Sequence, residues 1–540
     1  MKKKPSGTKL NSDTALPGSA ARQGKKPRFK EFFYISFCLF IAFFLLTVYV
    51  TGGSSLKAAL FSDTSDTFMD HYNSVVYNGV DDPYEILVVY PPLASLLYKL
   101  CNMIIPGDDY RTLVTDPSIL AQERAIKVGQ SFVFQFILYA VFSIIIYVAA
   151  VSLLKKGSGT EKLFFVLVTV FSSPFLYMAD RGNNVLLPVA FSIFFLIFFD
   201  HKSKLLRELA LISLAVAIGL KIYPAAFLVL FIARRKYKEL LRELGYVFVT
   251  LILPFFIFYN GFSSMKLMLH NLLGFDAKRT TEDNIGGQLD FKRMFFFLYG
   301  GLRRYTGITI SDNMRELYAT LCRFGMSAVC GLGALFSKKL WKQTLLLSAV
   351  IYGFPGSAST YILLFLVIPT ALFLDTEKKA SLKNYAYLAL MVLAQIPVIL
   401  RSNGEFSRYW PTKVSSLAIA GIVLLAFLEM ISAFAAWNEA RRRDGKPLFR
   451  TARETVRDYV KYMLKTGEKG AVREAEQLTL FDVAATPEYF PTAAGAENPP
   501  APASVSAPEQ APAPAQAPAQ DALIAQDPDG DPAAKEGGES

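Results

Sequence analysis

Two aspartates in a polar segment near the N-terminus have the type and the spacing that catalysis uses. Asp66 and Asp70 stand four residues apart within the acid-rich stretch 61–73. If this stretch is helical, both carboxylates lie on one face, where like charges repel and reduce stability. An acidic couple kept at that cost suits general-base catalysis or cation binding. A helix whose acids only face water is the simpler interpretation, and the spacing alone favours it.

Several cations could act together with these acids. They are Lys221 inside an apolar run, Arg181 at a short polar turn, Arg401 and Arg408 near residue 400, and the pair Arg303-Arg304. A lysine buried at membrane depth is costly and indicates a functional site, unless its stem lets the ammonium reach the interface. Acids ringed by cations above an apolar cavity suit a lipid-linked phosphate. The cations would hold the phosphate as a leaving group, and an acid would take the proton of an attacking hydroxyl.

The composition indicates where such a site must be built. Of the 540 residues 52% are hydrophobic and only 19% are charged, which excludes a disordered chain and argues against a cytosolic enzyme. The net charge of +12 comes from short basic clusters between apolar runs, a pattern typical of membrane topology signals rather than of a nucleic-acid surface. Three histidines, and four cysteines without C-x-x-C spacing, predict neither a metal nor a disulfide framework, and no cofactor is expected.

The apolar runs predict an all-α polytopic membrane protein with about twelve transmembrane helices and a long first external loop. The runs lie at 32–50, 131–154, 163–179, 185–199, 209–233, 244–261, 317–336, 343–374, 385–400 and 414–437. The first could be a signal peptide, but it is long for one and no clean cleavage site follows. Basic clusters on one side predict a multi-pass cell-membrane protein with both termini in the cytoplasm and the site on the outer face.

Two of the runs carry breaks that predict short paired helices. The run 209–233 contains Gly219 and Pro224 around Lys221, and 343–374 is interrupted at 354–357. Helices broken in this way are tolerated in a membrane only where they line a protein cavity. We therefore expect both breaks to border an internal site.

Composition divides the chain into four parts. Residues 1–30 form a basic cytoplasmic N-terminus, and 31–440 form the membrane domain. Residues 441–475 carry apolar and basic residues at helical spacing, which predicts an amphipathic helix on the inner membrane surface or packed on the cytoplasmic loops. Residues 476–540 form a Pro/Ala-rich acidic tail that predicts disorder.

The order of several short motifs carries a resemblance to a known family. The motifs are Asp66, Gly79, Pro83-Tyr84, Tyr90-Pro91-Pro92, Arg181-Gly182-Asn183-Asn184, and Lys221-Ile222-Tyr223-Pro224 followed by Arg234-Arg235-Lys236. In this order and topology, residues 30–440 resemble glycosyltransferase family 87. Its members are polyprenyl-phosphate-mannose-dependent mannosyltransferases of the GT-C superfamily.

The resemblance implies a GT-C-like bundle and an inverting transfer of a sugar, with mannose expected, from a polyprenyl-phosphate donor to an acceptor hydroxyl of a glycolipid or glycan. The family's catalytic base falls on Asp66, with Asp70 as the alternate. The donor phosphate or substrate would bind at Arg181, Asn183, Lys221, Tyr223, Tyr90, Arg401 and Arg408. No metal ion is needed if these cations replace it.

The chain departs from the family pattern at two places. Asn183 stands where the family has Gln, and the segment 356–361 lacks the histidine that members often carry after the second break. These departures concern the acceptor side and the identity of the sugar.

A transporter or flippase of a lipid-linked saccharide is the main competing function, because discontinuous helices also build transport sites. The two broken runs share no sequence pattern, and no internal repeat is visible, which argues against it. A polymerase or ligase of surface polysaccharide would differ from the transferase only in its lipid-linked donor. All three readings require the bilayer as a partner, and none requires nucleic acid.

Overall fold

The fold is a bundle of apolar helices. The computed structural model describes residues 28–60, 67–104, 133–279, 290–356, 359–397, 400–402, 405–407, 410–443, 457 and 459–461. In chain order the α-helices of these parts are α1 (Phe29–Val50), α2 (Ser54–Ala59), α3 (Met69–Tyr77), α4 (Pro92–Met103), α5 (Val133–Leu154), α6 (Gly159–Val170), α7 (Ser173–Arg181), α8 (Leu186–Phe198), α9 (Lys204–Leu220), α10 (Val229–Ala233), α11 (Tyr237–Ile252), α12 (Ser263–Arg279), α13 (Phe291–Thr306), α14 (Asp312–Phe336), α15 (Leu340–Gly353), α16 (Val367–Thr376), α17 (Leu382–Leu393) and α18 (Trp410–Arg443).

Short irregular elements join these helices. Single 3₁₀ turns lie at Pro83–Ile86, Tyr223–Leu228, Leu253–Ile257 and Thr360–Leu366. A small antiparallel hairpin pairs β1 (Leu400–Ser402) with β2 (Glu405–Ser407), so that Leu400 faces Ser407. Apart from this hairpin, the regular structure of the described residues is helical, as the sequence predicts.

Within the described parts of the chain, five helices are long and apolar enough to cross a membrane: α1, α5, α11 with its 3₁₀ extension, α14 and α18. Helices α6 and α7 count as a sixth span if the bent pair crosses as one, with a bend of 58° between them. Pro174 stands at the start of α7, where its missing N–H costs nothing, and it divides the run that the sequence presents as a single helix. The chain is therefore a helical membrane protein, and the total of about twelve spans stays a prediction.

Short apolar helices form the centre of the bundle. α8 is buried on nearly every side and packs on α9 and α5, and α15 and α16 are buried in the same way. A helix that is apolar all round must be enclosed by protein or lipid. The long spans instead leave side chains such as Phe43, Phe142, Phe248 and Leu424 exposed. An apolar outer surface of this extent is suited to lipid contact.

Both predicted breaks occur where the sequence places them. Helix α9 ends at Leu220, and the chain turns through Lys221 and Ile222 into the 3₁₀ helix Tyr223–Leu228, whose second residue is Pro224. Helix α15 ends at Gly353, and helical structure resumes at Thr360. In each case Pro or Gly interrupts an apolar run.

A buried ion cluster ties together one end of the bundle. Lys155, at the end of α5, is fully buried and pairs with Asp375 of α16 and, at 3.0 Å, with Glu161 of α6. The backbone N–H of Lys156 also donates to Asp375, at 2.8 Å. The charge of Lys155 is therefore compensated by two acids from separate helices, as a buried cation requires.

Thr67 and Phe68, which stand between Asp66 and Asp70, are not helical, so the condition for both carboxylates to share one helical face is not met. Helix α3 begins only at Met69, after Phe68 in a left-handed backbone conformation with φ of 60°. Asp70 therefore lies in the first turn of α3. Asp66, Arg408, the N-terminal segment 1–27 and the tail 476–540 lie outside the described residues.

Only fragments of the predicted amphipathic segment are described. Among them, Tyr459 packs its ring on Phe434 and Trp437 of α18, with ring centroids 5.1 and 5.2 Å away. Its hydroxyl donates to the backbone oxygen of Met430 at 3.4 Å. These contacts place Tyr459 against α18, and both placements of the amphipathic segment, on the inner membrane surface or on the cytoplasmic loops, stay predictions.

Candidate functional site

The first turn of α3 is held against the end of α7. The backbone N–H of Phe68 donates to the backbone oxygen of Asp180 at 2.7 Å, and the Thr67 hydroxyl donates to the Asp180 carboxylate at 3.3 Å. These bonds connect the start of the first polar loop to the turn 181–184. Asp70, one residue into α3, is thereby brought to that turn.

Gly182 allows this close approach. It ends α7 with φ of 64°, a conformation that favours glycine. A Cβ at this position would lie 3.2 Å from each of three atoms, in His71, Phe136 and Phe68. The glycine of the predicted turn motif is therefore required both by its backbone conformation and by contact with α3.

Asp70 is the centre of a polar cluster. Its Oδ1 accepts hydrogen bonds from Arg181 Nε at 3.1 Å and from an Arg181 terminal nitrogen at 2.5 Å, and its Oδ2 accepts one from Asn183 at 2.8 Å. Asn183 uses its own side-chain oxygen to accept from the Val185 N–H at 3.1 Å, which fixes its amide. The side chains of Asp70 and Arg181 remain 17% and 16% exposed, so an approaching molecule can reach both.

Lys221 adds a second cation. It follows the last residue of α9, is 7% exposed, and forms no salt bridge with any carboxylate of the described residues. Its Nζ lies 4.3 Å from the centre of the Tyr90 ring, a cation–π contact. Asp70 is the charged group that acts on it electrostatically. A nearly buried ammonium without a paired anion favours an anionic ligand.

Tyrosines surround the two charges. The charge of Asp70 acts on the phenols of Tyr90, Tyr98, Tyr223 and Tyr361. Burial, and secondly Asp70, raise the pKa of Tyr90 above its ordinary value, so this phenol stays neutral. Tyr361 stacks on Tyr177, with ring centroids 5.9 Å apart. Tyr177 in turn lines a small cavity that Thr360 of the second break and Pro411 also border.

The Pro83-Tyr84 motif is hydrogen-bonded to the backbone of Tyr90. The Tyr84 hydroxyl donates to the backbone oxygen of Tyr90 at 3.1 Å, and the backbone oxygen of Tyr84 accepts from Asn271 of α12 at 2.7 Å. Asp82 caps the 3₁₀ turn through the Tyr84 N–H at 3.0 Å and also accepts from Asn260 at 2.9 Å. These bonds connect the segment of the Pro-Tyr motif to α12 and to Asn260.

Sequence reasoning missed the histidine next to Asp70. His71 is fully buried, and its Nε2 lies 3.0 Å from the side-chain oxygen of Gln135 in the membrane span α5. Burial lowers the pKa of His71 to about 4, an effect that the Gln135 hydrogen bond opposes only in part. A lone glutamine in an otherwise apolar span was the available signal, since such residues commonly bond across helices.

The structure brings together five of the predicted site residues, namely Asp70, Arg181, Asn183, Lys221 and Tyr90, and keeps Tyr223 within electrostatic reach of Asp70. Arg401 lies in β1, with Phe406 as its backbone partner. Arg303 and Arg304 are exposed in the last turn of α13. Within the described ranges, no three His, Cys, Asp or Glu side chains are grouped so that they could hold a metal ion.

The fold defines a helical membrane protein, and comparison with known families adds the class of its activity. The model of glycosyltransferase family 87 matches residues 126–336, and this match indicates a glycosyltransferase. The matched part includes Arg181, Asn183, Lys221 and Tyr223, but neither Asp70 nor Tyr90. Comparisons with curated proteins and with solved structures give no significant match.

Proposed function

We propose that the protein is an inverting glycosyltransferase of the cell membrane, which moves a sugar from a polyprenyl-phosphate donor to an acceptor hydroxyl on a glycolipid or glycan. The proposed sugar is mannose, and the proposed site faces outward. The observation that carries the proposal is that one carboxylate, Asp70, contacts the cation Arg181 and also acts on the nearly buried ammonium of Lys221, which has no salt bridge to the described carboxylates. The match to glycosyltransferase family 87 supports the class of reaction.

The chemistry follows from these charges. The acceptor hydroxyl attacks the anomeric carbon from the side opposite the phosphate, and the carboxylate takes the hydroxyl proton. The bond between the anomeric carbon and the phosphate oxygen breaks, and the lipid phosphate leaves with one more negative charge. Lys221 and Arg181 stabilise that developing charge, which makes them transition-state contacts. Because two cations can supply this, the proposal requires no metal.

Asp70 is the base that the geometry supports, and Asp66 is the base that the family motif implies. The Asp70 side chain is bonded to Arg181 and Asn183 and is 17% exposed, so an acceptor hydroxyl can approach its carboxylate. Asp66 lies only two residues before Phe68, whose backbone N–H is bonded to Asp180. Both aspartates therefore belong in the first experiment.

The proposed orientation depends on charge. The described spans and broken helices alternate with basic clusters such as 234–236, which predict the cytoplasmic side. The polar loops with Asp70 and Tyr84 carry few lysines and arginines and are assigned outside. Arg401 and Arg408, near the β-hairpin, are proposed to meet the donor phosphate from the same side.

The test uses purified protein in liposomes with radiolabelled polyprenyl-phosphate mannose and a crude glycolipid acceptor. We expect label to enter the acceptor with wild type, and transfer to fall by at least about a hundredfold in either Asp70→Asn or Asp66→Asn. Asp81→Asn is the matched control, because Asp81 is an exposed acid of the same loop. It should retain full transfer.

Lys221→Met separates the phosphate contact from the base. It removes a buried charge without leaving an unpaired partner, so we expect normal expression and stability but a large loss of transfer. Movement of labelled donor between leaflets without a new glycosidic bond would overturn the transferase and support a flippase. Transfer from another polyprenyl-phosphate sugar, but not from mannose, would correct the sugar alone.

A further inference from the structure

Asn184 has an unusual environment. Its side chain is completely buried, and neither its amide nitrogen nor its amide oxygen has a hydrogen-bond partner among the described residues. It directly follows Asn183, which is bonded to Asp70. An amide withdrawn from water without partners costs free energy, and such groups are rare in native structures. Folding alone therefore gives no reason for Asn at this position.

Tyr223 presents a second buried group of the same kind. Its hydroxyl oxygen is buried and has no partner within the described part of the chain. Tyr223 stands two residues after Lys221, and the charge of Asp70 acts on its phenol. Its ring is anchored edge-on against Phe365, with centroids 6.1 Å apart. The body of the side chain is thus fixed while its polar end is left unsatisfied.

The two residues approach the site from neighbouring helices. Asn184 precedes α8 and Tyr223 follows α9, and these helices pack side by side along their length. Leu187 of α8 and Leu220 of α9 lie in one small apolar cluster, against which Tyr90 packs. Asn184 stands three residues before Leu187, and Tyr223 stands three residues after Leu220. The unsatisfied groups, together with Lys221, therefore lie at the start of α8 and at the end of α9.

We propose that Asn184 and Tyr223 hydrogen-bond the hydroxyl groups of the donor sugar and thereby decide which sugar is transferred. This inference rests on the proposed function. A sugar offers several neighbouring donors and acceptors, which match one amide and one phenol. The donor is chosen rather than the acceptor because its sugar is attached directly to the phosphate, and Lys221 is the ammonium proposed to hold that phosphate.

Apolar replacements of Asn184 and Tyr223 should therefore keep or raise the stability of the empty protein while they lower its activity. Asn184→Leu and Tyr223→Phe replace unsatisfied polar groups with apolar ones of similar shape, which is neutral or stabilising for the empty protein. The same changes leave a sugar hydroxyl without its partner, which lowers kcat/KM for the donor by about tenfold or more. A purely structural role for either residue predicts loss of stability instead.

The decisive experiment compares donors that lack single hydroxyls. Wild type and both variants are assayed with polyprenyl-phosphate mannose and with its 2-, 3-, 4- and 6-deoxy analogues, and Tm is measured in detergent. We expect each variant to lose the wild-type preference for the complete sugar at one position of the ring, with an unchanged or higher Tm. Tyr147→Phe, which removes another buried hydroxyl without a described partner on α5, is the matched control and should keep every preference.

The outcomes separate the inference from the proposed function. If wild type transfers sugar but both variants keep all deoxy preferences, the inference is overturned and the proposed function stands. A fall in Tm in both variants, equal to that of Tyr147→Phe, would show that buried water satisfies these groups, and would also overturn it. If no polyprenyl-phosphate sugar serves as a donor for wild type, and none raises its Tm, the inference and the proposed function are both overturned.

A binding measurement gives a second readout. Polyprenyl-phosphate mannose and sugar-free polyprenyl phosphate are each added to the protein, and the rise in Tm is compared. We expect the sugar to add stabilisation in wild type and in Tyr147→Phe, and to add little in Tyr223→Phe or Asn184→Leu. Equal sugar-dependent stabilisation in all four proteins would contradict the inference.

Discussion

Asp70 and Arg181 form a salt bridge across 111 residues of sequence, in which Arg181 Nε lies 3.1 Å from Asp70 Oδ1. The bridge joins the first polar loop to the turn between α7 and α8. It combines an acid from a segment outside the family match with a cation from within it. The candidate site is therefore a property of two chain regions that must dock before it exists.

Replacement of Arg181 tests how far this bridge orients the base. Arg181→Lys keeps a positive charge but loses the planar fork that makes two bonds to Asp70, so we expect transfer to fall about tenfold or more. Arg181→Gln should abolish transfer almost completely and destabilise the fold by about 1–3 kcal/mol. Transfer assays and detergent unfolding would check both. Equal activity in the two variants would mean that the charge of Arg181 is unimportant.

Gly182→Ala should damage the protein through shape alone. The added Cβ meets His71, Phe136 and Phe68 at 3.2 Å in a backbone conformation with φ of 64°. We expect a loss of more than about 1 kcal/mol in stability, together with lower transfer because Asp70 is displaced. Gly245→Ala is the control, since no atom lies within 4 Å of its added Cβ in the helix α11. There the gain in helix propensity should stabilise by about 0.5–1 kcal/mol.

Asp375→Ala should strongly destabilise the fold away from the site. It removes one of the two acids that compensate the fully buried Lys155. We expect a loss of about 3–5 kcal/mol in unfolding free energy, and a substantial recovery when Lys155→Met is added to remove the orphaned charge. Glu439→Ala breaks only an exposed pair with Arg443 and should change stability by less than about 1 kcal/mol. If the double variant is no better than the single one, the charge is not the cause.

The buried His71 should make the folded protein less stable as the pH falls. Its pKa in the folded protein is lowered by burial from 6.5 to about 4, so its contribution to stability is complete above pH 6.5 and declines as the pH falls from there to about 4. The unfolded chain takes up the proton first, at about 1.4 kcal/mol per pH unit across this window. Unfolding between pH 7.5 and 4.5 should therefore depend less on pH in His71→Gln than in wild type. His270→Gln, at an exposed position, should behave as wild type.

Much of the fold could be predicted because membrane helices satisfy their backbone hydrogen bonds locally. The apolar runs at 131–154 and 317–336 correspond to α5 and α14, and the Pro and Gly residues of both broken runs mark real interruptions. The sequence overestimated continuity at 163–179, because Pro174 begins a helix there rather than continuing one. It left open whether the stretch 61–73 is helical, and in the structure Phe68, whose N–H is bonded to Asp180, is a left-handed residue just before α3.

The sequence indicates which residues could do chemistry, but it does not indicate which of them are in contact with one another. A lysine in an apolar hairpin and an aspartate in a polar loop can be read directly, since each is costly or conspicuous where it stands. Whether Asp70 meets Arg181, or His71 meets Gln135, depends on the docking of helices that are distant in sequence. The unsatisfied amide of Asn184 was invisible for the same reason, because burial and missing partners are defined only by neighbours.

The sequence by itself therefore determined a helical membrane protein, its broken helices and the set of charges available for catalysis, since apolar length, Pro, Gly and charge act locally. Only the tertiary structure decided that Asp70, Arg181, Asn183 and Lys221 share one site, and that the Asn184 amide and the Tyr223 hydroxyl are buried with no hydrogen-bond partner among the described residues. These relationships arise from packing between α3, α7, α8 and α9, whose free energy depends on surfaces that no single segment contains.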